Sequence, residues 1–340
     1  MARSELTIDL GAVRRNAKRL LEALDGAELW AVVKADGYGH GAVSVADGAL
    51  GGGATALCTA TVAEALVLRR ELSGVRIIVL GPATNREIAQ AREARLELVV
   101  SDQAPLPEGV PLHLKLETGM GRYGLSELPE VTHDVVGLMS HLATADSDPA
   151  FAEQQIERFR EATSLYPGIT KHIANSAAAL RLPSSRLDAV RCGIALYGLS
   201  PFGADPAEDG LQPALAWHSE LAQVKVRAPG ESTGYGRTYM ADRPTWIGIV
   251  PVGYADGFRR DLSGTKVRVG DDLCPVAGTI SMDSFAVELP GERAVGTPVT
   301  LIGDGVPAEE HARVAGTITY ELVCGINSSP TRARRTVMHG

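Results

Sequence analysis

A lysine is an unusual residue with which to close an apolar run, and Lys34 closes Leu29-Trp30-Ala31-Val32-Val33. Desolvation lowers a lysine pKa, and a neutral amine can form a Schiff base with a carbonyl compound. The bland alternative is a lysine whose head simply reaches solvent. Tyr38 and His40 follow in a glycine-rich turn, where backbone can approach a ligand closely. A second run, Leu112–Leu116, alternates so that His113, Lys115 and Glu117 share one face, with Arg122 just beyond. Lysine and arginine together suit an anionic group such as a carboxylate; the alternative is a solvated rim. Ser140-His141, Asn175-Ser176 and Arg191-Cys192-Gly193-Ile194 close three further runs.

The elements that must position these residues alternate along the chain. Apolar runs recur at Leu29–Val33, Ala56–Thr59, Ile77–Leu80, Leu96–Val100, Leu112–Leu116, Val135–Met139, His172–Ala174 and Val190–Cys192. Helix-period stretches lie at Asp9–Leu24, with Asp9 able to cap, and at Val62–Leu72, Asn85–Arg95 and Ala150–Leu165. Alternation of this kind predicts parallel βα units. Eight of them predict a closed (β/α)8 TIM-type barrel, with a doubly wound open sheet as the alternative. Barrel chemistry collects at the C-terminal strand ends, and phosphate is often held after strands 7 and 8. Ser176 and the Gly193 and Ile194 amides occupy those places. A phosphorylated cofactor carrying an aldehyde for Lys34 explains all the strand ends together, namely pyridoxal 5'-phosphate, with Arg191 directed at its pyridine nitrogen. A cofactor-free aldolase using a lysine Schiff base is the rival reading.

Beyond about Pro213 short β-rich runs dominate: Ala222–Val226, Trp246–Val250, Val267–Val269, Phe285–Val287 and Val299–Leu301. This predicts a smaller, mostly-β domain made of residues 206–340 and joined by residues 1–8, with the barrel spanning 9–205. The chain has 340 residues and a net charge of −8 with no basic block, which argues against nucleic acid and anionic membranes as partners. The four cysteines stand far apart and form neither a disulfide framework nor a metal knuckle, so no metal is expected. With no apolar signal core near the N-terminus and no long apolar run, the expected location is cytoplasmic.

Several motifs resemble those of the alanine racemase family. They are Ala31–Gly41 (AVVKADGYGHG), Lys115–Arg122 (KLETGMGR), His141–Asp146 (HLATAD), His172–Ser176 (HIANS), Arg191–Gly198 (RCGIALYG), Tyr235–Tyr239 (YGRTY), Gly253–Gly257 (GYADG) and Ser281–Asp283 (SMD). The resemblance implies a barrel plus a β domain, a homodimer with composite sites, pyridoxal phosphate as cofactor, and racemisation of alanine to supply D-alanine for peptidoglycan. It implies that Lys34 holds the cofactor and is one catalytic base, and that Tyr235 of the other subunit is the opposed base. Tyr38, Ser176, Gly193 and Ile194 would bind the phosphate, and Arg191 the pyridine nitrogen. Arg122 and the Met282 backbone would hold the substrate carboxylate. Lys115 stands at a position that the family often carbamylates, and His141 would support the Tyr235 network. Tyr254, Asp283 and Arg260 would lie near the substrate entrance. Two bases on opposite faces suit racemisation, and a tyrosine becomes a useful base when cations such as Arg191 and His141 lower its pKa. A related barrel decarboxylase or a non-enzymatic cofactor-binding protein would lack the Tyr235 motif or the second domain.

The match departs from the family in two places. Ser328 or a neighbour stands where a phosphate-contacting tyrosine is common, and Thr279 replaces a common arginine. The barrel wall carries a further expectation. Three prolines and a glycine between Gln103 and Pro111 leave no room for a helix. The stretch from Arg122 to His141 admits at most a turn or two around Ser126–Val131. If Lys115 faces inward, Leu112 and Leu114 face outward, and either neighbouring helices lean in or another segment or subunit covers them.

Overall fold

The computed structural model describes residues 3–102 and 105–339. Gly11–Gln212 form one compact unit, and the chain on either side of it forms a second.

In the first unit the short apolar runs pair in parallel and close on themselves. The strands are β2 (Glu28–Val32), β3 (Ala56–Thr59), β4 (Arg76–Val79), β5 (Glu97–Val100), β6 (Leu112–Lys115), β7 (Val135–Met139), β8 (Thr170–His172) and β9 (Ala189–Cys192), with β9 returning to β2. β1 (Glu5–Asp9) precedes them. The barrel is therefore closed, and the open-sheet alternative is set aside. Strands such as β3, β6 and β9 are buried along their whole length, as strands covered on both faces must be. Helices α1 (Leu10–Ala23), α2 (Lys34–Tyr38), α3 (Ala42–Gly51), α4 (Val62–Glu71), α5 (Asn85–Glu93), α6 (Pro149–Thr163) and α7 (Ser176–Arg181) intervene. Helix α1 begins one residue later than expected, because Asp9 completes β1 by pairing with Met338. Local sequence starts the others. Thr61 with Glu64, and Thr84 with Glu87, form capping boxes on α4 and α5. The Asp148 carboxylate accepts from Phe151 N at 3.1 Å ahead of Pro149 on α6.

Among the described residues no helix joins β5 to β6. Gln103 and Ala104, part of the expected proline-rich link, lie outside the described residues. No helix forms between β6 and β7 either, within the limit of a turn or two set for Ser126–Val131. There the chain instead folds back on β6: Leu125 N donates to Lys115 O at 2.7 Å, and Glu117 N to Leu125 O at 2.9 Å. Leu112 and Leu114 are nonetheless fully buried. Arg92, in the last turn of α5, donates to Glu108 O and, at 3.3 Å, to Gly109 O, tying the link to the neighbouring helix.

In the second unit β1 pairs antiparallel with β10 (Leu215–Glu220) and parallel with the last strand, Arg334–Met338. Between them come β11 (Gln223–Arg227), β12 (Ser232–Thr233), β13 (Tyr239–Met240), β14 (Thr245–Val250), β15 (Lys266–Val269), β16 (Asp272–Ala277), β17 (Phe285–Leu289) and β18 (Pro298–Ile302), so that the last strand is β19. The main sheet runs β11-β14-β17-β16-β15-β18-β10-β1-β19. Two short helices, α8 (Ala308–Ala315) and α9 (Thr319–Cys324), follow β18. No helix among the described residues is long and apolar enough to cross a membrane.

Candidate active site

Lys34 opens α2 just past the end of β2 and is half-buried. The backbone then turns left-handed, with φ of 52° at Ala35, 50° at Asp36, 62° at Gly37 and 54° at Tyr38. Non-glycine residues are disfavoured there by about 1–2 kcal/mol each, so the surroundings must hold them. Glu64 does so from α4: beyond its capping role, its Oε1 accepts from Ala35 N at 2.7 Å. Asp36 Oδ1 accepts from Ala42 N at 2.9 Å, closing the turn onto α3. The Tyr38 ring stacks on Tyr197 with centroids 4.9 Å apart.

Tyr38, Ser176 and Gly193 are brought together. Ser176 Oγ accepts from Gly193 N at 3.0 Å and from Ala195 N at 3.4 Å. A Cβ on Gly193 would fall 2.4 Å from the Tyr38 hydroxyl, so only glycine fits. Two hydroxyls and a run of backbone amides beginning at Gly193 thus form a cradle that fits a phosphate. Ile194 opens the short turn Ile194–Tyr197 behind it.

Arg191 is buried at the end of β9. Its Nη1 donates to His172 Nδ1 at 2.6 Å and to His172 O at 3.1 Å. Its Nη2 donates to Ser140 O at 2.8 Å and to His141 Nδ1 at 3.2 Å. Burial lowers the guanidinium to about 10, still well above neutrality. No described residue accepts from Nε, a donor that fits a pyridine nitrogen.

His141 is pushed down to about 3, by burial first and then by Arg191, Lys115, Arg122 and Lys34. It is therefore neutral, which corrects its expected part as a cation helping Tyr235. Lys115 is buried, with its Nζ over the Tyr123 ring at 5.7 Å. Burial, then Arg122 and Arg191, push its ammonium down to about 8. Arg122 is exposed on a loop that Glu117 organises, its carboxylate accepting from Gly119 N, from Gly121 N at 3.0 Å and from Arg122 N at 3.4 Å.

In the second unit Tyr235 is 71% exposed at the start of the short turn Tyr235–Arg237. Thr279 holds that turn, its Oγ1 donating to Tyr235 O at 3.1 Å. The loop of Tyr254 packs on that of Met282: Tyr254 N donates to Ser281 O at 3.1 Å and Ala255 N to Met282 O at 3.0 Å. A Cβ on Gly253 would lie 2.3 Å from Ser281 O, so the contact requires glycine. The Met282 N–H meets no acceptor among the described residues. Asp283 pairs with Arg332 at 2.9 Å. Asn327 N donates to Asp256 O at 3.0 Å, which fixes the segment carrying Ser328 beside the same loop. Arg260 is exposed and makes no ion pair among the described residues. Within each unit the expected residues gather, apart from Arg260. Sequence reasoning missed Glu64, Glu97 and the coupling of His172 to Arg191; the only signal was a histidine in each of two barrel strands. Among the described residues no cluster of histidine, cysteine and carboxylates could hold a metal.

Two family models match, "Alanine racemase, N-terminal domain" over residues 8–201 and "Alanine racemase, C-terminal domain" over residues 214–334. The chain is 39% identical to an alanine racemase of Levilactobacillus brevis, with 98% of each chain covered. It is 39% identical to alanine racemase 1 of Bacillus subtilis over 96% of this chain and 91% of that one. Among solved structures, alanine racemase from Streptomyces lavendulae matches with a TM-score of 0.93 and 34% identity, over 100% of this chain and 98% of that one. The Bacillus anthracis enzyme with bound L-Ala-P matches with a TM-score of 0.88 and 34% identity, over 100% and 96%.

Proposed function

The chain belongs to the alanine racemase family, and we propose that it interconverts L- and D-alanine between two bases, Lys34 and the Tyr235 of a second copy. It is an isomerase acting on an amino acid and uses pyridoxal 5'-phosphate. The observation that carries the reading is the convergence on one barrel end of the Lys34 amine, the Tyr38–Ser176–Gly193 cradle and the Arg191 guanidinium.

Lys34 would hold the cofactor through its amine, the cradle its phosphate, and Arg191 Nε its ring nitrogen. When bound, the cofactor withdraws electrons from the α-carbon and so makes its proton removable. Arg191 stays cationic at neutral pH, so it would donate to the ring nitrogen and leave it without a proton of its own, which would restrain side reactions. Lys34 takes or returns a proton at its Nζ, and Tyr235 does the same at its hydroxyl on the other face. Arg122 and the Met282 N–H receive the substrate carboxylate. Tyr254, Asp283 and Arg260 would line the way in, and His141, being neutral, accepts from Arg191 and fixes its orientation. Homodimerisation, a cytoplasmic setting and service to peptidoglycan synthesis complete the reading. The test mixes the purified protein and cofactor with L-alanine and follows optical rotation. Decay to zero is the expected result; a constant rotation with cofactor bound would sink the proposal.

A further inference from the structure

We propose that Glu97 is a positioning residue that acts through His113 and His172 on Arg191, fixing both imidazoles as Nε2–H tautomers so that the guanidinium always meets an acceptor. The inference rests on the reading of Arg191 as the group at the cofactor ring nitrogen.

A line of hydrogen bonds runs through the barrel core. Arg191 Nη1 lies 2.6 Å from His172 Nδ1, His172 Nε2 lies 2.9 Å from His113 Nδ1, and His113 Nε2 lies 2.8 Å from Glu97 Oε2. Glu97 begins β5, at the strand end remote from Lys34. Arg76 grips its carboxylate twice, Nε to Oε1 at 2.8 Å and Nη2 to Oε2 at 2.9 Å. A guanidinium has only donors and an ionised carboxylate only acceptors. With those two ends fixed, a single proton assignment pairs every junction: both Nε2 atoms carry hydrogen and both Nδ1 atoms accept. Any other assignment places two protons, or none, at one junction.

The protonation states agree. Burial holds both imidazoles below their usual range, with His172 lowered further by Arg191. Burial raises the Glu97 carboxyl, but His113 and Arg76 outweigh it and bring the group down to about 2. The surroundings are built for the rings. Trp30 packs on both, its centroid 4.5 Å from that of His172 and 5.7 Å from that of His113. On β7, a Cβ at Gly137 would fall 1.9 Å from His113 Nδ1, so glycine leaves room for the imidazole. Were His172 to carry its proton on Nδ1, two donors would meet at the 2.6 Å contact and Arg191 would have to move.

The test uses the holoenzyme labelled with nitrogen-15 histidine, its signals assigned from single-histidine variants. Imidazole nitrogen shifts separate protonated from bare atoms. The native protein is expected to show protonated Nε2 and bare Nδ1 at both His113 and His172 throughout the neutral range. Glu97→Leu removes the acceptor that His113 Nε2 meets, whereas Gln would keep it, because an amide oxygen in the Oε2 place still accepts from both His113 and Arg76 Nη2. A population with protonated Nδ1 at both histidines is the expected result, together with a shifted absorbance of the bound cofactor. Arg76→Met keeps an acceptor facing His113 and should retain the native tautomers even where it lowers stability. Protonated Nδ1 in the native protein overturns the proposal, and this measurement stands even if Glu97→Leu fails to fold. Native tautomers alone in Glu97→Leu, or inversion in Arg76→Met, overturn it equally. Inverted tautomers with an unshifted cofactor spectrum would refute action on Arg191. A protein with the expected tautomers that racemises no alanine would sink the proposed function and leave the line of hydrogen bonds standing.

Discussion

The Lys115 ammonium, held at about 8 by burial and by Arg122 and Arg191, is partly neutral at neutral pH. The neutral amine is the form that captures carbon dioxide. Bicarbonate-dependent carbamylation of Lys115 should therefore increase as pH rises through about 8, read by carbon-13 labelling; no labelling across that range would exclude it. The sign for stability follows from the same group. Its folded value lies below the ordinary 10.5, so the unfolded chain binds more protons between the two, and stability should climb with pH across that window. Tyr235→Phe should keep the cofactor and lose α-proton exchange from one enantiomer by ~10²–10⁴-fold, measured by deuterium wash-in from each enantiomer separately. Equal exchange from both would exclude the two-base route. Lys34, Tyr38, Ser176, Arg191 and Gly193 were legible in the sequence because each stands at or just past a strand end. Glu97 and His172 were not legible as partners of Arg191. Alternation assigns His113 to a face, but only closure of the barrel brings strands distant in sequence within a hydrogen bond.

Among the elements, β6 makes the sharpest case. Its His113 and Lys115 serve the interior, while Leu114 is fully buried beside a link without a helix among its described residues. Leu114→Ala should lower unfolding stability by about 2–5 kcal/mol in denaturant titration. A loss below about 1 kcal/mol would mean that the wall is wet. The barrel strands were readable as runs because burial on both faces demands apolar residues throughout. β8 was misplaced toward His172–Ala174 because its first two residues, Thr170 and Lys171, are polar and only half-buried. α3 escaped notice because Val43, Val45, Gly48 and Gly51 are poor helix formers. Packing holds that helix, with Val45, Ala46 and Ala49 buried, and no local signal announces it.

For the whole molecule, the proposal divides the two bases between different subunits. Mixed dimers of Lys34→Ala and Tyr235→Phe chains should then recover up to half of native activity per dimer of that kind, because one of the two composite sites is intact. Mixed dimers that form but stay inactive would place both bases in one chain. The sequence also indicated that the first strand belongs with the C-terminal β domain, and that arrangement has a consequence during synthesis. Leu6 and Ile8 of β1 are fully buried between β10 and β19. Roughly 200 residues of chain separate β1 from its first partner at Leu215, and at ~5–20 residues per second they take about 10–40 s to emerge. Through that interval β1 is a nascent strand with two open edges and alternating apolar residues. The hazard of aggregation at this strand is therefore set by the pace of translation, before the stability of the finished fold has any bearing on it.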